Sequence, residues 1–393
     1  MEYDYDVIII GAGIHGAGAA QAAAAAGYSV LVLEQYDQPA QGSSSKSTKL
    51  IHGGLRYLET GQFHLVYECL QERSNLLRNA PHLVKLVPFY IPVYKNTTRA
   101  VWKIVAGLSL YSLFSRKLFK RIPRSQWSHM DGLKTSNLDA VFSYYDAQTD
   151  DARLTRSVLT SAQILGAAVH TGARFESARL AAQGCEIIYR YFDASKKTET
   201  KKVSARILVN AAGPWANDVL QRIQPKTTQL PVELVQGTHI IVAGEVSHPY
   251  YLEAPSDRRV VFVTPWKNQI LIGTTENNYR GDPASVVPLD SEISYLLEVY
   301  NLYFEQHLRS EDVIGAFAGL RVLRGGSGQA FNRSRDTHLV EDRAKKPRVV
   351  TIYGGKLTSY RATSEQLLSR LVKTLAPGKR IADTRNLKLP DVE

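Results

Sequence analysis

The first thirty-odd residues constrain this chain more than any other stretch. Val7-Ile8-Ile9-Ile10 is a β-branched run of the kind a strand buried on both faces requires, and it leads directly into Gly11-Ala12-Gly13-Ile14-His15-Gly16. Ile14 to Ala26 contains no proline and many alanines, which predicts a helix, and Gly27 stands where helices commonly end in the left-handed conformation. Ser29 to Leu33 reads as a second strand. Strand, turn, helix and strand in so short a span require a right-handed crossover, and therefore a parallel sheet in an α/β fold.

The glycines of that turn fit G-x-G-x-x-G in its proper context. Gly11 permits the tight turn, Gly13 lets backbone approach a pyrophosphate, and Gly16, helped by Gly18, lets helix pack closely on strand. The first helical turn then offers its unpaired N–H groups to the phosphates. Glu34 ends the second strand, where a carboxylate accepts hydrogen bonds from a ribose diol and repels a 2′-phosphate, which disfavours NADP. The fingerprint alone does not distinguish FAD from NAD.

A length of 393 residues corresponds to about two to three domains. Ile207 to Asn210 and Val349 to Tyr353 are also strand-like and run into Gly213 and Gly354-Gly355, which suggests one discontinuous domain. Leu230 to Gly273 alternates β-rich stretches with turns and suits a second, mostly antiparallel sheet. The expected limits are 1–90, 145–230 and 315–380 for the Rossmann-like domain, with 91–144 and 231–314 for a substrate domain. Hydrophobic and charged residues at 44% and 22% exclude disordered, collagenous and coiled-coil classes. Cys69 and Cys185 lie far apart with no Cys/His cluster, so neither a disulfide framework nor a metal site is indicated. The acidic start Met1-Glu2-Tyr3-Asp4 is unlike a secretory signal, and Val101 to Phe114, interrupted by Lys103, falls short of the ~20 residues a bilayer span needs.

The net charge of +11 favours an anionic substrate, an anionic membrane or nucleic acid. The basic residues are dispersed and no nucleic-acid motif is present, so a nucleic-acid partner is set aside.

A series of motifs then follows in order: Gly42-Ser43-Ser44-Ser45-Lys46-Ser47-Thr48-Lys49-Leu50-Ile51-His52-Gly53-Gly54-Leu55-Arg56-Tyr57, Asp150-Asp151-Ala152-Arg153, Asn210-Ala211-Ala212-Gly213-Pro214-Trp215, Gln236-Gly237-Thr238-His239, Ile272-Gly273-Thr274-Thr275, Gly319-Leu320-Arg321 and Gly354-Gly355-Lys356-Leu357-Thr358. In this series the chain resembles the FAD-dependent glycerol-3-phosphate dehydrogenases, of the amino-acid-oxidase-like group of flavoproteins. The resemblance implies FAD as cofactor. It implies contacts to FAD from Gly11, Gly13, Ile14, His15 and Gly16, from Glu34 and Gln35, and from the polar strip Ser44, Ser45, Lys46, Ser47 and Thr48 with Leu50. It further implies contacts from His52, Gly53 and Gly54, from Ala212, Gly213 and Trp215, and from Gly354, Gly355, Lys356, Leu357 and Thr358. Lys46 or Lys49 is suited to offset phosphate charge.

A phosphorylated polyol needs cationic donors, bidentate from arginine and point-like from lysine. By resemblance, Arg321 and Arg335 contact the phosphate, Arg56 and Lys356 lie near the hydroxyl being oxidised, and Tyr57 and Thr274 complete the pocket. His239 and His52 are both candidates for the base that takes the hydroxyl proton. The implied reaction moves a hydride from C2 of sn-glycerol 3-phosphate to flavin N5, giving dihydroxyacetone phosphate, with a membrane quinone as final acceptor. The same fold also serves other 2-hydroxy acids and amino acids, and the cations suit a carboxylate as well.

Val101 to Phe114, followed by Arg116-Lys117-Leu118-Phe119-Lys120-Arg121, reads either as an interfacial segment on an anionic leaflet or as a core-packed helix with a basic tail. The first reading implies a cytoplasmic protein held peripherally on the inner membrane. Longer relatives carry a further C-terminal helical domain, and this chain stops at Glu393, so a short form is expected.

Overall fold

A computed structural model describes residues 2–192, 198–325 and 336–392. Among the described residues the first sheet has nine strands, with Tyr5–Ile10 at its centre. Val7, Ile8 and Ile9 have no solvent exposure at all, which is why this strand reads as an unbroken apolar run rather than an alternation. Val30–Leu33 and the end of Thr198–Asn210 pair with it in parallel, with Ile10 opposite both Leu33 and Asn210. Val349–Tyr353 pairs in parallel with Thr198–Asn210, Thr351 facing Asn210. The carboxyl ends of these strands therefore finish along one rim, which is where ligands bind in open parallel sheets.

The helices are α1 (Ile14–Ala25), α2 (Phe63–Asn79), α3 (Val101–Ser115), α4 (Asp151–Ile164), the short α5 (Ala216–Gln221), α6 (Asp290–Tyr303) and α7 (Tyr360–Leu371). Gly27 follows α1 at φ +87°, the left-handed ending expected of it. Gly16 is a packing glycine: a Cβ there would lie 1.8 Å from the Gly11 carbonyl oxygen. Alanines along α1 let it nest between this sheet, α4 and α7 in one apolar cluster.

Among the described residues, a second sheet of ten strands is mostly antiparallel. It contains Lys85–Tyr94, Leu138–Gln148 and the whole of Val313–Arg324, so each of these strands crosses a domain limit expected from sequence. Two features obscured this. Gly315 and Gly319 lie inside a strand that pairs with Val232–Ala243 from Arg324 through Val313, although glycines normally punctuate strands. Pro88 and Pro92 have their nitrogens on the same side of the strand as Tyr90, whose N–H donates to the Pro249 carbonyl at 2.8 Å. That side pairs with Tyr250–Glu253 only at Tyr90, so the ladder loses nothing at the prolines.

Helix α3 lies against this sheet by one face. Ile104, Leu108 and Tyr111 are buried in a cluster with Val66, Leu70 and Phe142, and such burial stabilises by roughly 1.5–3 kcal/mol per large side chain. On the other face Trp102 and Leu113 are 68% and 72% exposed. The helix is therefore anchored by its core face, whatever meets the outer one. Among the described residues no helix is long and apolar enough to cross a membrane.

Candidate active site

Along the rim of the parallel strands runs a cleft of about 860 Å³, closed on its far side by the second sheet. Every residue to which the resemblance gives a contact with FAD lines it except Gly16, Ser45 and Gly53. The Ser45 hydroxyl donates to the Gly42 carbonyl at 3.3 Å, and Gly53 packs against Leu70 and Tyr111. These three shape the walls from behind.

The nucleotide end is built from backbone. Ser44 Oγ accepts from the Ile14 N–H at 2.9 Å, bringing the polar strip onto the first turn of α1. Ser43 Oγ donates to the Leu320 carbonyl at 2.6 Å, fastening the strip to Val313–Arg324. Glu34 is buried, and its carboxylate accepts from the N–H groups of Ala12 at 2.6 Å and Tyr36 at 3.0 Å. Burial raises its pKa despite those bonds. Gly354 and Gly355 have φ of +70° and +97°, and a Cβ on Gly355 would lie 2.3 Å from His15 Nε2. His15 is held neutral by burial, with a pKa lowered to about 4, and its Nδ1 finds no partner among the described residues.

Lys49 corrects one expectation. Its ammonium lies 2.6 Å from Asp151 Oδ1, with both groups buried, and donates to the Ser45 carbonyl at 2.6 Å. Asp151 neutralises that charge and also accepts from the Ser47 hydroxyl, so Lys49 supports the strip instead of reaching a phosphate.

Two cationic groups line the same cleft. In the first, Lys356 Nζ sits 3.8 Å from the Tyr57 ring centroid and 3.7 Å from Cys69 Sγ, while Arg56 lies 4.9 Å from that ring and donates to the Tyr57 hydroxyl at 3.3 Å. In the second, Arg321 donates to Glu276 Oε1 at 2.9 Å and to Thr274 Oγ1 at 2.9 Å. Gly237 makes room for this fork, since a Cβ there would lie 2.7 Å from Arg321 Nη2. Arg335 lies outside the described residues.

His239 lines the cleft beside Arg321. Burial, and then the charges of Arg321 and Lys49, push its pKa well below the ordinary value, so it is a neutral imidazole at pH 7. It stacks on Phe317, its Nε2 is 3.0 Å from Thr48 Oγ1, and its Nδ1 has no partner among the described residues. His52 is placed differently. Thr358 Oγ1 accepts from its N–H at 3.2 Å, and its ring meets Phe262 edge-on.

Sequence reasoning missed Glu276, Arg259, Tyr144, Tyr251 and Phe262, which line the cleft from the second sheet and the connections between its strands. Only Glu276, two residues past Thr274, had a local signal. It also missed Glu292 of α6, a buried carboxylate accepting from Gln236, Thr238, Thr275, Asn277 and the Leu289 N–H at 2.6–3.1 Å. Burial would raise its pKa, but the Thr238 and Thr275 hydroxyls and the other donors outweigh this and hold it below the ordinary glutamate value. Glu292 thereby fixes the strand Val232–Ala243, which carries His239, and the connection 274–276, which carries Thr274 and Glu276.

A family model described as FAD dependent oxidoreductase (DAO) matches residues 6–361. The chain belongs to this family. A glycerol-3-phosphate dehydrogenase of Pseudomonas aeruginosa is 40% identical over 93% of this chain and 71% of its own length. A D-erythritol 1-phosphate dehydrogenase of Brucella abortus is 38% identical over 93% of this chain and 73% of its own. Among solved structures, the glycerol-3-phosphate dehydrogenase of Bacillus halodurans complexed with FAD superposes with a TM-score of 0.78 at 25% identity, covering 99% of this chain and 68% of that one. As an FAD-dependent oxidoreductase, the chain has a cleft whose features fit the cofactor. The paired left-handed glycines open a surface for a planar ring, the His15 ring packs against Gly355, and the first turn of α1 faces the cleft.

Proposed function

We propose that this FAD-dependent oxidoreductase oxidises the C2 hydroxyl of sn-glycerol 3-phosphate and releases dihydroxyacetone phosphate. The observation that carries this reading is the presence of two cationic groups in the cleft that has the dinucleotide cradle at its rim. The relatives named for glycerol 3-phosphate and erythritol 1-phosphate support a phosphorylated polyol.

When bound, FAD supplies the acceptor for the C2 hydride at its N5. The protein does the rest. Arg321, oriented by Glu276 and Thr274, binds the phosphate, and Arg335 is assigned to the same group. Arg56 and Lys356, both seated on Tyr57, hold the hydroxyl end. His239 is assigned the hydroxyl proton because it lines the cleft beside Arg321 and is neutral at pH 7. Anaerobic titration of the flavin spectrum tests this assignment. Glycerol 3-phosphate is expected to bleach the flavin stoichiometrically. Bleaching by erythritol 1-phosphate alone would transfer the site to the longer polyol, and bleaching only by 2-hydroxy acids or amino acids would remove the phosphate reading.

The electrons then pass to a quinone, with the protein docked peripherally on an anionic membrane through the outer face of α3. Trp102, Leu113 and Leu118 are exposed there beside Lys103, Arg116, Lys117, Lys120 and Arg121. Each cation near such a surface contributes about 1 kcal/mol, and screening shortens its reach from ~10 Å at 0.1 M salt to ~3 Å at 1 M. In flotation assays the protein is expected to rise with anionic vesicles at low salt, less at 1 M, and not with neutral vesicles. Equal flotation on both lipids, or none on either, would refute this docking mode.

A further inference from the structure

Arg56 and Tyr57 sit on a single 3-10 turn, Leu55–Leu58, which is too short to fix its own orientation. The turn is held from both ends, and both holds come from α3 or the residues leading into it. On the N-terminal side, the Gly53 N–H donates to Tyr111 Oη at 2.9 Å. Tyr111 Oη in turn donates to Asp146 at 2.7 Å, and Asp146 accepts from Arg73 at 2.6 Å. This chain is buried throughout, with Arg73, Tyr111 and Asp146 only 1–2% exposed. On the C-terminal side, Glu59 accepts from Arg99 Nε at 2.6 Å and Nη2 at 3.0 Å. The third arm of Arg99 reaches Glu253 of the second sheet at 2.5 Å.

The arrangement is directional. With its one proton committed to Asp146, the Tyr111 oxygen has only lone pairs to offer Gly53, so the backbone amide has one fitting orientation. Burial and the Asp146 charge push the phenol pKa well above its ordinary value, which keeps that proton in place. A fork gripping Glu59 through two nitrogens fixes the other end in the same way.

We infer that Tyr111 and Arg99 are positioning residues for Arg56 and Tyr57, so that α3 acts as a brace setting the hydride-transfer geometry of the site. The inference rests on the reading of Arg56 given above. Misplacement of a reacting or orienting group by about 1 Å can cost on the order of a hundredfold in rate. Loss of one of two holds is accordingly expected to cost about tenfold.

Tyr111→Phe removes only the hydroxyl and leaves the ring in the core, and Arg99→Gln provides a second variant at the other end. The readout is the limiting anaerobic reduction rate per reducible flavin of the FAD-loaded enzyme with glycerol 3-phosphate, a quantity that a change in folded fraction does not move. Each variant is expected to slow reduction about tenfold in the parent background and less than twofold in an Arg56→Ala background, because coupled residues are not additive. Equal slowing in both backgrounds, or no slowing in the parent, would overturn the inference. Amide hydrogen exchange over Gly53 to Glu59 needs no substrate and is expected to quicken in Tyr111→Phe. Unchanged exchange would overturn the brace. Quickened exchange in an enzyme whose parent glycerol 3-phosphate does not reduce would overturn the substrate assignment and leave the brace standing.

Discussion

Replacing Gly13 by valine is expected to give a folded protein that has lost its FAD. Gly13 is the N-cap of α1 with φ −72° and ψ 179°, an extended conformation open to any residue, so the backbone tolerates the change. The space does not. A Cβ would lie 3.1 Å from Ser44 Oγ, and the two valine methyls would stand in the cleft that both residues line, before the first-turn amides of α1. Those amides then cannot reach a pyrophosphate. Flavin absorbance per protein is expected to fall at least tenfold, with far-ultraviolet circular dichroism close to that of the parent apoprotein. A variant that purifies fully yellow would show that the cofactor does not approach along this turn.

Arg321→Ala is expected to lower kcat/KM for glycerol 3-phosphate by between about thirtyfold and several thousandfold while FAD stays bound. Truncating one partner of a buried charged pair costs roughly 2–5 kcal/mol, at 1.4 kcal/mol per decade. Alanine also leaves Glu276, only 4% exposed, without the guanidinium 2.9 Å away, so part of that loss is structural. Arg321→Lys separates the two effects. Lysine keeps the charge but cannot hold Glu276, Thr274 and an anion at once with a planar fork, so it is expected to recover stability and little of the activity. Full activity in the lysine variant would assign the phosphate to another cation.

The nucleotide half of the site was legible in the sequence because its chemistry is local. Gly11, Gly13 and Gly16 act through their own backbone, and Glu34 follows them at the end of the strand beside Tyr5–Ile10. Spacing along the chain is therefore almost the same information as position in space. The polar strip Ser43 to Thr48 was legible for the same reason, although only the structure separated its members. Lys49, three residues from Lys46, faces Asp151 across 102 positions of sequence, and no local pattern reports a partner at that range.

The substrate half was less legible because it is assembled across the second sheet. Gly315 and Gly319 lie in a strand paired along nearly its whole length, and a Cβ at Gly319 would meet Lys46 at 2.6 Å. The presence of Gly319 is visible in the sequence, but its reason is a neighbour more than 270 residues away. Glu292, Arg259, Tyr251 and the Arg73–Asp146–Tyr111 chain belong to the same class. Sequence by itself determined the fold class and the dinucleotide turn, because backbone periodicity and turn glycines are properties of adjacent residues, and it implied FAD through the resemblance carried by the ordered series of motifs. Only the tertiary structure decided which charges are neutralised and which histidines are buried in neutral form. It also decided that α3 grips the turn carrying Arg56, because burial and hydrogen-bond geometry are set by whatever the fold brings within about 3 Å.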